Sequence, residues 1–322
     1  MVVTVACYER PVANDGSDDE LLLLAAALAE IGRRVRDVVR AARPDGDPDR
    51  DHEVVRSEGG DDVFGIDARA DEVLLDGLAR LGDRWPGSVV LEGYDDAVAI
   101  GDASGPWRYL ADPVDGTRPL LAGKRSAWVL LGAGRDATTL EDLEVGAAVE
   151  IPTRRAALGL VAWAARDGSA FALQAEDDDL VGGGATTPVR LRPQTGRPLD
   201  RSFVTVVRLL PGGHGPIGAW ADRHLAGLEV YDDLLPCTGG AMMGLASGAD
   251  RAVFDPRPLL HPEGFAAHPY DLAALVVVRA AGVVIEALPP GPLAVPLDTD
   301  TAVAWAGYAD EATARRLRPT DL

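Results

Sequence analysis

The hydrophobic pattern of this chain changes period along its length, and that change constrains the fold more than any single motif. Leu21, Leu24, Leu28, Ile31, Val35 and Val38 recur at helical spacing, with Ser17 and Glu20 forming a capping-box pattern ahead of them. That helix is expected to end near the loop "RPDGDPDRD". Ile66, Ala70, Val73, Leu74, Leu78 and Leu81 keep the same period and place Asp67 and Asp71 on one face of a second helix. Short apolar runs then take over: "SVVLEG", "WRYLADP", "SAWVLLGAG", "VGAAVEI" and "ALGLVAWAA" read as strands of a mainly antiparallel sheet covered by the two helices. Beyond the charge and glycine runs of "EDDDLVGGGATTPVR" the pattern alternates. Strand "FVTVVRL", helices "IGAWADRHLAGL" and "TGGAMMGLASG", strand "RAVFD", helix "PYDLAALVVVRAAG", strands "VVIEA" and "TAVAWAG" and a helix from Asp310 predict an α/β layer with a more parallel sheet. A subdomain boundary near Gly184 divides 1–184, α+β and carrying most candidate ligands, from 185–322, α/β and completing the site. The expected body is a layered α/β/α/β/α arrangement with any site at the seam between the halves.

Composition removes several function classes. The 322 residues are 47% hydrophobic, enough for a sizeable core, and carry a formal charge of -20. Such a surface repels phosphate backbones and anionic lipid, so neither nucleic acid nor membrane is expected as a partner. The apolar run "LLLLAAALA" stops at Glu30, short of the roughly 20 residues a membrane span needs. The N-terminus "MVVTVACYERP" lacks the basic and apolar regions of a signal peptide, and Cys7 and Cys237 have no ligand spacing. Free thiols in a cytoplasmic protein follow. The glycine run has neither a following lysine nor a GxGxxG pattern, so it reads as a linker. His52, His214, His224 and His261 show no zinc-ligand spacing, and His268 reads as a helix-start or solvent-facing residue.

The chemistry-bearing pattern is acidic. Glu92 closes "VVLE", Asp112 closes "WRYLAD", Asp115 opens the next turn, and Asp271 sits in the first turn of a helix that begins at Pro269. Each is a commonplace residue where it stands: aspartate, proline and glycine build turns, and an aspartate in a first helical turn complements the dipole. Together they are carboxylates at the ends of separate elements, which repel one another unless cations fill the space between them. Hard divalent ions such as Mg²⁺ take such oxygen ligands.

With these residues the chain resembles the inositol monophosphatase-like superfamily of metal-dependent, lithium-sensitive phosphatases, which includes fructose bisphosphatases, phosphoadenosine-phosphate phosphatases and histidinol-phosphatases. "DPVDGT" is similar to the family's DP(I/V/L)DGT, "LEG" to its (G/S)EE, and "HPYDLAA" with "AAGVV" to its PWD(I/V)AA and EAGG. "DDVFGIDARADEVL" and "GLASGADRAVFD" add weaker likeness, so the resemblance runs from about Asp61 to Glu286. It implies a sugar-phosphatase-like fold of two subdomains and a Mg²⁺-dependent phosphomonoesterase acting on a small soluble phosphate ester: a sugar, cyclitol or nucleoside phosphate. Histidinol phosphate, fructose 1,6-bisphosphate and a catalytically silent binding subunit are the alternatives within it. It also implies a homodimer, inhibition by Li⁺ and two or three ions. Glu92, Asp112 and the Val114 carbonyl would hold one ion; Asp112, Asp115 and Asp271 a second. Asp61 would serve a third and, with Thr117 and Glu92, make up the catalytic residues, Thr117 and Asp61 orienting the attacking water; Asp62 and Asp67 stay open for the role of Asp61. The amides of Gly116 and Thr117 would cradle the phosphate.

Departures from the pattern fall on the substrate side. Gly93, Tyr270, Ala280 and Val283 replace family residues, and "PRPLLHPEGFAAH" lengthens the spacer before Asp271. Metal binding survives these changes, while inositol recognition is not implied by the resemblance alone, because the longer spacer borders the substrate side in the family. Asp255 stands where the family has an acid contacting a substrate hydroxyl. Arg118, Lys124 and Arg125 in "DGTRPLLAGKRSAW", a stretch similar to histidinol-phosphatase-like members, either bind a second phosphate or nucleotide or are surface charges; Lys124 is the chain's one lysine.

Overall fold

The computed structural model describes residues 16–42, 54–58, 61–166, 170–176, 186–208, 211–233 and 237–320. Cys7, His52 and Gly184 lie outside them.

The two helical-period stretches form α1 (Gly16–Ala41) and, after a hairpin of β1 (Val54–Glu58) and β2 (Asp61–Phe64), α2 (Gly65–Ala79). Residue 17 already lies inside α1, and its side chain, on which the capping-box pattern depends, is outside the described residues. The two oxygens of Glu20 accept from Trp85 Nε1 (3.3 Å) and Arg135 (3.1 Å), tying the helix to the sheet beneath.

Strands β3 (Gly87–Leu91), β4 (Val98–Ile100) and β5 (Trp107–Asp115) are followed by the short helix α3 (Thr117–Leu121). Then come β6 (Ala127–Arg135), β7 (Val145–Ile151), β8 (Leu158–Ala165), β9 (Ala170–Glu176) and β10 (Thr186–Pro188). They make one eight-stranded sheet in the order β10-β9-β8-β7-β6-β5-β3-β4, antiparallel except for the β3–β5 pair. The second half contributes β11 (Phe203–Val206), α4 (Pro211–His224), α5 (Thr238–Ser247), β12 (Asp250–Asp255) and the short α6 (Arg257–Leu260). A 3-10 turn at Pro269–Leu272, α7 (Leu275–Ala280), β13 (Val284–Ala287), β14 (Trp305–Tyr308) and α8 (Glu311–Leu317) complete it.

Strict alternation along the strands sorts the core into three seams. Tyr109 and Ala111 on β5 and Val129 and Leu131 on β6 face Leu24, Leu28, Leu74 and Leu78 of α1 and α2. Their neighbours Leu110 and Leu130 face the other way, onto Met242 and Leu245 of α5 and Val277 of α7, with Val253 and Trp305 of the small sheet beyond. The far side of that sheet, Val204, Phe254 and Tyr308, packs on Trp220 of α4 and Leu317 of α8. The layers run helix, sheet, helix, sheet, helix.

Two expectations for the second half need correction. The small sheet, in the order β11-β12-β14-β13, is parallel only between β11 and β12; β14 returns antiparallel to both β12 and β13. The helix expected from Pro269 through Gly282 is split into the 3-10 turn, whose start is capped by the Asp271 carboxylate on the His268 amide, and α7. No helix among the described residues is long and apolar enough to cross a membrane.

Candidate metal centre

Asp112 and Asp115 are three residues apart, and on a regular strand they would point to opposite faces. They do not, because the β5–β6 register slips between them. Asp112 pairs with Leu130 and Asp115 with Trp128, so three steps on β5 match two on β6. The extra residue falls at the Pro113–Val114 step, where proline has no N–H to offer a ladder. The Asp112 carboxylate accepts from the Val114 amide (2.9 Å), which stiffens the bulge. Both aspartates, 1% and 6% exposed, then face the middle helix layer.

There Asp115 meets the start of α5. The Gly239 amide donates to Asp115 Oδ2 (2.6 Å), with the Thr238 amide and the Cys237 thiol adding further hydrogen bonds. A side chain at position 239 would place its Cβ 2.8 Å from that same oxygen and 2.7 Å from Leu130, so only glycine allows the approach. Gly116, which turns β5 into α3, is left-handed (φ 96°), and a Cβ there would sit 3.1 Å from that of Cys237. The 3-10 turn brings Asp271 to the same place, its Oδ2 fixed by the His268 amide (2.6 Å). Oxygens of Asp112, Asp115 and Asp271 all lie within 4.8 Å of one another. Glu92, just past β3, joins them through a hydrogen bond between its carboxyl and that of Asp112.

The electrostatics follow from that crowding. Burial, then repulsion from Glu92, Asp115 and Asp271, pushes Asp112 well above the carboxylate range. Burial and the fields of Asp115 and Glu92 do the same to Asp271. Asp115 is pushed up to about 6 by burial, held back by the amides and thiol at the start of α5. The cation whose field reaches Asp115 and Asp271 is Arg257. A donor set made of hard oxygens, short of positive charge, fits a divalent cation.

Thr117 opens α3 with its hydroxyl between two acceptors, Asp67 Oδ1 (3.0 Å) and the Val114 carbonyl (2.9 Å). Asp67 makes that contact from the first turn of α2, while the side chains of Asp61 and Asp62 lie outside the described residues. Asp61 lies in β2, its backbone paired with Glu58 across the hairpin.

The remaining candidates lie apart from the carboxylates. Asp255 ends β12 fully buried, and both of its oxygens are taken by the Arg257 guanidinium (2.7 and 2.6 Å). Arg118 stacks over Phe265 of the long spacer (5.5 Å), and Arg125 pairs with Asp233. Lys124 is exposed. His268 stacks on Tyr270, which completes the start of the 3-10 turn. Sequence reasoning missed the 237–239 segment and Arg257. The paired glycines of "CTGG" and the "DPR" triplet were the signals.

No family model and no curated protein sequence matches the chain. Solved structures do. Fructose-1,6-bisphosphatase of Leishmania major in its holo form superposes with a TM-score of 0.71 at 13% identity, covering 94% of each chain. The chain therefore has the inositol monophosphatase and fructose bisphosphatase fold. The extragenic suppressor protein suhB of Bartonella henselae (TM-score 0.60, 18% identity, 94% of this chain and 100% of that one) shares it. So does inositol monophosphatase of Anabaena (TM-score 0.59, 14% identity, 93% and 95%). The resemblance read from "DPVDGT" and its companions holds at the level of the fold, and the five layers are those it implies.

Proposed function

We propose that the chain is a Mg²⁺-dependent phosphomonoesterase of the cytoplasm that hydrolyses a small phosphate ester. The observation that carries this reading is the convergence of Asp112, Asp115 and Asp271 within 4.8 Å at the bulged end of β5. Their place in a fold shared with solved phosphatases supports it.

Glu92, Asp112 and the Val114 carbonyl would hold one ion, and Asp112, Asp115 and Asp271 the other. Bound there, divalent cations supply charge neutralisation for the transferring phosphoryl group and acidify water. Everything else falls to the chain. The first amides of α3, at Gly116 and Thr117, have no acceptor within the helix and are free to bind phosphate oxygens. The Thr117 hydroxyl holds a single proton between Asp67 Oδ1 and the Val114 carbonyl, so Thr117 Oγ1 can take a proton from an attacking water while passing its own to Asp67. Asp67 takes this role in the reading on the strength of its contact with Thr117. Gly239 holds Asp115 at Oδ2, and Thr238 and Cys237 steady the same carboxylate.

The test is phosphate release from a panel of inositol phosphates, sugar bisphosphates, histidinol phosphate and phosphoadenosine phosphate, with and without Mg²⁺. Turnover that requires the metal is expected on at least one. Metal binding with no turnover on any substrate would instead assign the chain to a silent binding role.

A further inference from the structure

At the far end of α3 the sign of the surface inverts. Gly123 takes a left-handed conformation (φ 64°) and turns the chain into Lys124 and Arg125. The loop after β7 closes on that turn, with Arg155 donating to the Gly123 carbonyl (3.3 Å). Between them opens a cleft of about 690 Å³ lined by Ala122, Gly123, Lys124, Arg125, Thr153 and Arg155. Three of these residues are cationic, and no carboxylate is among the described residues that line the cleft. In a chain of formal charge -20 that is the reverse of the average surface.

The charges are unequally spent. Arg125 is paired with Asp233 at its outer edge, and Arg155 is steadied by a neutral carbonyl. The Lys124 ammonium, belonging to the one lysine of the chain, has no hydrogen-bond or ion-pair partner among the described residues. Like charges gathered in one concavity repel until an anion enters, and guanidinium and ammonium groups recognise phosphate oxygens in particular. The cleft is open to solvent and roomy enough to admit a phosphate group.

We propose that this cleft is a second anion site, for a phosphate-type group, distinct from the carboxylate centre. The five residues of α3 span about 7.5 Å at 1.5 Å each, so the two sites lie at opposite ends of one short helix. The group is either a second phosphate on the molecule that reaches Asp112 or a separate free anion. The site rests on its own geometry and is tested without turnover. Inorganic phosphate is titrated into the chelator-treated full chain and followed by the width of its ³¹P resonance. The expected result is saturable broadening that weakens with added NaCl and an affinity lower by about tenfold in R155E or K124E, the loss of one good ion contact. R155Q, which keeps the bulk of the side chain, should lose a similar share while retaining the wild-type circular dichroism spectrum. Broadening that is absent in the wild type, or identical in all three variants, overturns the proposal. The two sources separate in steady-state kinetics of R155Q. A KM ratio between two-phosphate and one-phosphate esters that rises assigns the cleft to substrate, and a constant ratio assigns it to a free anion.

Discussion

Asp115 and Asp255 occupy matching places: each is a buried aspartate at the end of a strand, one on the large sheet and one on the small. What surrounds them differs. Asp115 is held by neutral donors, the amides of 238 and 239 and the Cys237 thiol, and these fix its direction while leaving its charge uncancelled among other carboxylates. Asp255 is met by Arg257 on both oxygens, and the charge is balanced within two residues of sequence. Position at a strand end therefore does not make a ligand. An uncompensated charge, aimed by groups that cannot neutralise it, does.

Substitutions can break that contrast, and the largest effect is expected at the carboxylate centre. Asp112→Asn, or Asp115→Asn, should lower turnover by about 10³-fold or more, since the charge that would hold the ions is gone. The melting temperature of either metal-free variant at pH 7 should equal or exceed that of the wild type, because repulsion is relieved. A variant with full activity would remove these residues from the site. On the other side of the comparison, Arg257→Met strands Asp255 as a buried lone charge and should cost about 3 kcal/mol in chemical denaturation. The double change Asp255→Leu with Arg257→Met should recover much of that loss, as neither charge is then left alone.

Thr117→Ala should reduce kcat by about 10²-fold with little change in KM, as expected for a proton-handling group. Asp67→Asn should match it, and the double variant should be no worse than either alone; additive losses would show that the two act separately. Gly239→Ala forces a Cβ against the Asp115 oxygen and should weaken Mg²⁺ binding by about tenfold, measured by calorimetry. The smallest effect is in pH. The folded pKa of Asp115, about 6, lies above its unfolded value, so the metal-free fold binds the extra proton and loses stability as pH rises through 4 to 6. Cations compete with that proton. The rise in melting temperature on adding Mg²⁺ should therefore be small at pH 5 and larger at pH 7.5, and equal rises would contradict the pKa assignment.

Much of this was legible in the sequence because it depends on period. The apolar spacing of Leu21 to Val38 and the alternation of "WRYLAD" each fix a buried face, and the buried faces stack in one order. The edge strands β4 and β10 are only three residues long and, with β9 beside β10, were not read, and the direction of β14 depends on a partner some fifty residues earlier that no local pattern records. At the site, "DPVDGT" announced its carboxylates, but the meeting of Thr117 with Asp67, 50 positions earlier, is a contact between separate elements that no local pattern records. Arg257 was missed for a similar reason: its pairing with Asp255 requires the chain to double back at Pro256, and sequence shows only that the two are neighbours.

The bulge at the Pro113–Val114 step gives the site an unusual kind of fragility. Substitution at either residue leaves the count of residues unchanged, and Asp115 still arrives on the face of Asp112. Deleting one of them would restore a regular ladder and send Asp115 and everything after it half a pleat out of phase, into the opposite seam of the core. The centre is thus encoded in the length of β5 as much as in its letters, and losing one residue there would dismantle it with Asp112, Asp115 and Asp271 all still in the chain.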